Sequence, residues 1–422
     1  MLLRVPHFFD MNYLGIDFGT SGARAIAVDS TGQIITETRC QYPSLEPNAD
    51  DWQQTLWALL DQLPAQVRQQ IAAIAIDGTS ATVLLCDRAH TPLTTPLLYN
   101  DARGGVPTVA PTTSPAHSAT SSLAKVLWWQ THLPKNILAN ARYLVHQADW
   151  LSSLLHGQPG ISDYNNALKL GFDPQALKYP NWLRNLEISA WLPQVLAPGI
   201  AIAPIQTQIA KRFGLPPSCI IKTGTTDSIA AFLASGANSP GDAVTSLGST
   251  LVLKLFSPVA VNDAPSGIYS HRLGQQWLVG GASNTGGAVL HHYFSEHELR
   301  SLSPLIDTHA ASGLDYYPLL TAGERFPIND PDLEPKLTPR PSDPVRFLHG
   351  LLESMAQIEA LGYQKLTALG GSPVKRIYTA GGGAQNSTWH TLRAQALGVP
   401  LVSSLHTEAA YGTARLAAGL VT

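Results

Sequence analysis

Two acids in this chain stand in closely similar settings. Asp17 ends the apolar run Leu14-Gly15-Ile16 and leads into Phe18-Gly19-Thr20-Ser21-Gly22, with Arg24 just beyond. Asp227 closes Gly224-Thr225-Thr226-Asp227, after the apolar pair Ile220-Ile221 and before an apolar stretch from Ser228 to Ser235. Glycines let backbone N–H groups approach an anion, and hydroxyls add donors. A carboxylate beside such a turn repels phosphate unless a divalent cation lies between them, which makes Asp17 a candidate cation residue. Asp227 begins a helical stretch, so a plain helix-capping role competes with a chemical one. Two further turns have the same character, Gly248-Ser249-Thr250 and Gly381-Gly382-Gly383-Ala384-Gln385-Asn386. Three successive glycines are entropically costly in a mere turn but make sense where a flat group lies against the backbone. Four such turns and two acids suit phosphoryl transfer from ATP. One acid would hold the metal, and the other would take a proton from an attacking hydroxyl.

Other nucleotide and nucleophile signatures are missing. The chain has no Gly-x-x-x-x-Gly-Lys, no Gly-x-Gly-x-x-Gly and no Gly-x-Ser-x-Gly, which excludes a P-loop, a dinucleotide fingerprint and a nucleophile elbow. At 422 residues it is long for one core, so two domains are expected. Hydrophobic residues make up 44% and charged residues 14%, which suits a compact enzyme rather than a disordered chain. The net charge of −3 offers no basic excess for nucleic acid or an acidic membrane face. No apolar run is long enough to cross a bilayer. Cys40, Cys86 and Cys219 are sparse and lack metal-ligand spacing, which fits a reducing cytoplasm. A chloroplast stroma is the alternative if the source is a plant, although no transit peptide is seen. Met1–Asp10 is expected to be a loose tail, or Met11 the true start.

The elements that must position these residues follow from periodicity and turn chemistry. The opening predicts strand, turn and strand across Leu14 to Val28, then a turn at Asp29–Gly32 and a third strand. Asp51 to Ala72 predicts a helix broken at Pro64, and Ile71 to Ile76 a buried strand ending at Asp77-Gly78-Thr79-Ser80. Val83–Cys86 predicts a short strand and Gly104–Ser122 a Pro- and Ser-rich loop. Leu123–Gln130, Ala139–Leu155 and Pro180–Trp191 are expected to be helical. Trp128, Trp129 and Trp150 are expected to be core residues. The hairpin Ala243–Leu247 and Leu251–Phe256 echoes the opening one, which suggests two related halves. Trp277–Ala282 predicts a strand, with Asn284-Thr285-Gly286-Gly287 opening a helix. Val345–Leu369 predicts the longest helix. Arg376–Ala380 predicts a strand into the glycine-rich turn, followed by a helix over Ser387–Leu397.

These motifs, in this order, resemble the FGGY carbohydrate kinases, which belong with actin and the heat-shock chaperone ATPases. Asp17-Phe18-Gly19-Thr20-Ser21 resembles the first phosphate motif, and Gly224–Asp227 the segment carrying the catalytic base. Gly248–Thr250 resembles the second phosphate motif, Gly381–Asn386 the adenosine motif, and Glu408-Ala409-Ala410-Tyr411-Gly412 the closing signature. The resemblance implies an α/β fold of two ribonuclease-H-like domains with a central cleft. A sugar-binding domain would comprise 1–234 plus 409–422, and a nucleotide-binding domain 235–408. It implies ATP and Mg²⁺, with Asp227 as the base and Asp17 orienting the metal, both facing the sugar. It assigns the nucleotide to Gly19, Thr20, Ser21, Arg24, Gly248, Ser249, Thr250, Gly286, Gly382, Gly383 and Asn386.

Xylulokinases carry Gly-Gln-Met-His-Gly where this chain has Gly78-Thr79-Ser80-Ala81-Thr82. Tyr99 replaces the Trp of a Trp-x-Asp-x-Arg pattern that otherwise survives in Asp101 and Arg103. In these respects, and in its short length, the chain resembles the short D-ribulose kinases of cyanobacteria and plants. Thr79, Ser80 and Asp101 are then candidate sugar contacts, with a structural Asp101–Arg103 ion pair as the competing reading. The expected reaction is ATP-dependent phosphorylation of D-ribulose to D-ribulose 5-phosphate. D-xylulose or another pentulose or polyol is the alternative acceptor. A nucleotide-binding switch, a chaperone-like ATPase and a kinase-derived sugar sensor are rivals from other classes. Expected partners are the sugar and ATP alone, with neither nucleic acid nor membrane, in a monomer or homodimer.

Overall fold

The computed structural model describes residues 11–44 and 47–421; the expected tail at 1–10 lies outside them. The chain forms two compact units, Met1–Ala234 with Arg272–Gly274 and Glu408–Thr422, and Ser235–His271 with Gln275–Thr407.

The first unit opens with β1 (Asn12–Phe18), β2 (Gly22–Val28) and β3 (Ile34–Gln41), an antiparallel meander. Asp29 shapes its second turn by accepting from the N–H groups of Thr31 and Gln33. Helix α1 (Ala49–Gln62) starts at a capping box between Asn48 and Asp51 and buries Trp52, Leu56, Leu59 and Leu60. Pro64 lies just beyond it and precedes the single turn α2 (Ala65–Arg68). Strand β4 (Ile71–Gly78) runs parallel to β1, which puts Asp17 opposite Asp77. Then come β5 (Val83–Cys86), α3 (Ser122–His132) and α4 (Lys135–Asn140).

The expected helix over Ala139–Leu155 is instead interrupted by β6 (Tyr143–His146), and only α5 (Gln147–His156) is helical beyond it. Tyr143-Leu144-Val145 fits a pleated surface better than a helix, and β6 pairs with all four residues of β5. The stretch Pro180–Trp191 also differs from a regular helix. After β7 (Ile161–Asp163) it holds one turn, α6 (Asn181–Arg184), and a 3₁₀ segment over Glu187–Trp191. Elements β8 (Gln194–Leu196), β9 (Ala201–Pro204), α7 (Thr207–Phe213), β10 (Ile220–Lys222), β11 (Thr225–Thr226) and α8 (Asp227–Ala234) complete this segment. The sheet runs β3-β2-β1-β4-β10-β9, with β11 paired to β4.

The second unit repeats the pattern. Strands β12 (Asp242–Leu247), β13 (Leu251–Ser257), β14 (Tyr269–Leu273) and β15 (Gln276–Ser283) are followed by α9 (Gly287–Tyr293), α10 (Glu296–Leu302) and the long α11 (Pro344–Ala368). Then come β16 (Arg376–Ala380), α12 (Ser387–Leu397) and β17 (Leu401–Ser403). The sheet order is β14-β15-β13-β12-β16-β17. In both sheets an antiparallel hairpin has an antiparallel strand beside its second strand and a parallel one beside its first, β3 and β4 around β1–β2 and β15 and β16 around β12–β13. A fully buried ion pair, Arg393 to Glu359 at 2.6 Å, ties α12 to α11, and Glu359 also accepts from Thr245 on β12.

The last helix, α13 (Ala409–Ala418), belongs to the first unit and packs on α8, β1 and β4. Gly15 makes this possible: a Cβ there would lie 2.0 Å from the Ala414 nitrogen. One face of the first sheet is thus covered by α8 and α13 around Ile26, Val28 and Tyr411. The other packs Leu14, Ile16 and Phe18 with Trp52 and Leu56 of α1 and Trp150 of α5.

Candidate active site

In the first unit three acids meet where strands end. Parallel pairing of β1 and β4 sets Asp17 beside Asp77, and β11 aligns Thr225 with Asp77 and Thr226 with Gly78, so that α8 starts there with Asp227. Asp17 and Asp227 are therefore brought together, as each raises the proton affinity of its neighbours. Burial pushes the Asp17 carboxyl up to about 6; a hydrogen bond from Asp77 opposes this, and the charge of Asp227 adds to it. Burial, reinforced by the charge of Asp17, holds the Asp77 carboxyl well above the ordinary range. Thr413 of α13 donates to Asp77 Oδ2.

Asp17 Oδ1, Asp77 Oδ1 and Thr226 Oγ1 are buried without a hydrogen-bond partner. Unsatisfied oxygens beside like charges fit a cation or its bound water. Among the described residues there is no group of three or more His, Cys, Asp or Glu placed to hold a metal. Mg²⁺ commonly keeps several waters and binds one or two carboxylates, so this donor set fits it.

Beside the acids, the turn after β1 is closed by the Gly19 N–H donating to the Gly22 carbonyl, and the phenol of Tyr42 donates to the Gly19 carbonyl at 2.9 Å. Thr20 and Ser21 are exposed at its tip. Arg24, on β2, is ion-paired with Glu408.

The turn after β4 holds the sugar candidates. Thr79 is buried, with its hydroxyl 2.6 Å from that of Thr82 and its N–H and hydroxyl both 3.0 Å from Gln147 Oε1. Ser80 is half-buried, the open hydroxyl of this turn. Asp101 forms the ion pair with Arg103 at 2.7 Å, and that pairing holds its carboxyl below the usual range against partial burial. Arg103 also lies over the Trp128 ring, which is half-buried, whereas Trp129 and Trp150 are core residues.

The second unit contains a cavity of about 530 Å³ lined by Gly248, Ser249, Gly382, Gly383, Asn386 and the α10 residues Leu299 and Arg300, among others. Gly286 and Thr250 stand behind it. Gly286 has φ of 142°, and a Cβ on it would meet the Thr250 backbone at 2.8 Å. The glycine run has divided duties. A Cβ on Gly383 would strike the Trp389 ring at 2.5 Å, whereas one on Gly382 would meet nothing. Only Gly382 therefore presents bare backbone to open space. Asn386 caps α12 through Oδ1 to the Trp389 N–H and donates to Ser303 from Nδ2.

Asp77, Gln147, Tyr42 and Thr413 escaped the sequence reading. Asp77 had a signal, an acid at the end of a buried strand, whereas the others are distant in sequence from the motifs they support.

The sequence pattern of the FGGY carbohydrate kinase N-terminal domain matches residues 12–234, and that of the C-terminal domain matches 243–420. A gluconokinase of Bacillus subtilis (strain 168) is 23% identical over 90% of this chain and 81% of its own. A xylulose kinase of the same organism is 24% identical over 96% of this chain and 87% of its own. The crystal structure of a "xyloylose kinase" from Brucella ovis superposes with a TM-score of 0.87 at 24% identity, covering 97% of this chain and 91% of that one. With both domain patterns matched and the fold shared, the chain belongs to the FGGY family of carbohydrate kinases, ATP-dependent phosphotransferases with sugar acceptors.

Proposed function

We propose that the acceptor is a ketopentose, D-ribulose first, phosphorylated at its terminal hydroxyl to give D-ribulose 5-phosphate and ADP. The observation that carries this reading is the meeting of Asp17 and Asp227 at the strand ends, next to the turn that presents Ser80. Asp227 takes the proton of the attacking hydroxyl, whose oxygen bonds to the γ-phosphorus as the bridge to the β-phosphate breaks. Asp17 holds Mg²⁺, which when bound neutralises charge on the phosphates. Ser80 and Asp101 orient the sugar, with Thr79 shaping the turn. Thr20, Ser21, Ser249 and neighbouring backbone donors hold phosphates, and Gly382, Gly383 and Asn386 receive the nucleoside. Arg24, tied to Glu408, steadies the first phosphate turn.

Support for ribulose over xylulose comes from the turn itself, which lacks the Gln and His that xylulokinases carry there. The names of the relatives favour D-xylulose as the second reading, with gluconate behind it. Three unpaired thiols and the need for ATP fit a cytoplasmic enzyme. Among the described residues, no helix is long and apolar enough to cross a membrane.

The test is ATP consumption with D- and L-ribulose, D- and L-xylulose, ribitol, glycerol and gluconate. D-ribulose is expected to lead in kcat/KM by about tenfold or more, a difference of about 1.4 kcal/mol. A lead for D-xylulose or gluconate would replace the acceptor, and ATP consumption indifferent to every sugar would remove the kinase reading.

A further inference from the structure

A lysine lies fully buried beside the turn that holds the sugar candidates. Lys125 is on α3, its side chain is 0% exposed, and its ammonium donates to the carbonyls of Ala81 at 2.7 Å and Thr120 at 2.9 Å. No carboxylate lies within ion-pair distance of it among the described residues; the charge of Asp101 acts on it from farther away, and that of Lys169 opposes. Burial lowers its pKa to about 7. A buried ammonium held by two carbonyls costs stability, because neutral dipoles replace its hydration incompletely. A hydrophobic side chain of similar length would fill the same space but leave the Ala81 and Thr120 carbonyls without this donor, so packing alone does not account for the lysine.

Its two acceptors do. Ala81 follows Ser80 directly and has φ of 65°, a left-handed backbone that a residue with a Cβ adopts only when its surroundings impose it. Thr120 stands at the end of the Pro- and Ser-rich stretch before α3, where Ser121 caps the helix. On its other side the turn is tied by Gln147, which accepts from the Thr79 N–H and hydroxyl through its side chain and donates from its own N–H to the Thr82 carbonyl. Every polar group of the turn named here is engaged except the half-exposed Ser80 hydroxyl.

We infer that Lys125 is a positioning residue for the acceptor sugar: it imposes the left-handed Ala81 backbone that aims Ser80 and locks that turn to the end of the 104–121 loop. The inference rests on the reading of Ser80 as a sugar contact. Its specific consequence is a split in kinetic parameters: the sugar site loosens, and the nucleotide cavity, built from other residues, is untouched.

The test measures steady-state kinetics and thermal melting for the wild type, K125M, S80A and the double variant, with ATP and the best ketose of the panel. K125M is expected to raise KM for the sugar tenfold or more and to leave KM for ATP within twofold. Its melting temperature should change little, since relief from burying the amine offsets the donor lost to the Ala81 and Thr120 carbonyls. S80A should also raise KM for the sugar, and the double variant should be no worse than the poorer single one. K125M with normal sugar KM, K125M that fails to fold or melts lower in step with its activity, or multiplicative effects in the double variant would each overturn the positioning role. A normal sugar KM in S80A would instead remove the sugar contact, and the inference with it.

Discussion

At the residue scale, the proposed chemistry divides between two acids in different surroundings. Asp227 begins a helix and stands half-buried beside Asp17 and Asp77. If it is the base, D227N retains the shape and loses the proton acceptor. Turnover should then fall about 10²- to 10⁴-fold with little change in either KM, as measured by coupled ADP release. Near-normal turnover would reassign the base. Asp17 bears a different cost. Its folded-state pKa of about 6 lies above the ordinary 3.8, so the native state binds this proton more tightly than the unfolded chain does. The native state therefore gains stability as pH falls from about 6 toward 4 and loses it as pH rises through that window. D17N, permanently neutral, should stabilise the ligand-free protein by about 1–3 kcal/mol near pH 7.5 and by almost nothing near pH 4, while abolishing turnover. Urea unfolding at the two pH values checks this, and an equal effect at both would mean that burial does not set the Asp17 pKa.

At the element scale, the turns are shaped as much by the protein's own packing as by any ligand. The glycine run after β16 reads as a surface for a flat group, yet Gly383 is required by Trp389, and only Gly382 faces open space. G383A should displace Trp389 or the β12 end at Leu247, both of which line the cavity. KM for ATP is expected to rise roughly tenfold, about 1.4 kcal/mol, with KM for the sugar unchanged. A rise in both would mean that the two sites respond together to this turn. Elements with one strong period were legible in sequence: the opening meander, β5, α11 and α12 fall within a residue or two of expectation. The break at β6 was not, because Tyr143–His146 sits within a helical pattern and becomes a strand only by pairing with β5, some 60 residues earlier in the chain.

At the scale of the whole molecule, the chain returns to its beginning. Helix α13 closes the sheet begun by β1, supplies Thr413 to Asp77 and, through Glu408 at its N-cap, pairs with Arg24. A chain ending after Thr407 should lose hydrogen-exchange protection in β1, β2 and β4 but keep it in β12, β13 and β16. Mass-spectrometric exchange distinguishes this from a uniform loss, which would show that the two units do not fold separately.

By itself the sequence determined the glycine–hydroxyl turns, the acids beside two of them at Asp17 and Asp227, and the repeated hairpin, because each is a local pattern: an apolar strand, a glycine turn with hydroxyls, an acid beside it. Tertiary structure alone decided which distant groups attend them. Asp77 becomes a neighbour of Asp17 through parallel strand register, Thr413 reaches it from the last helix, and Lys125 meets Ala81 across 44 residues of chain. No local propensity encodes such meetings. They follow from which faces must be buried together, and that is settled only when the sheet and its covering helices have closed.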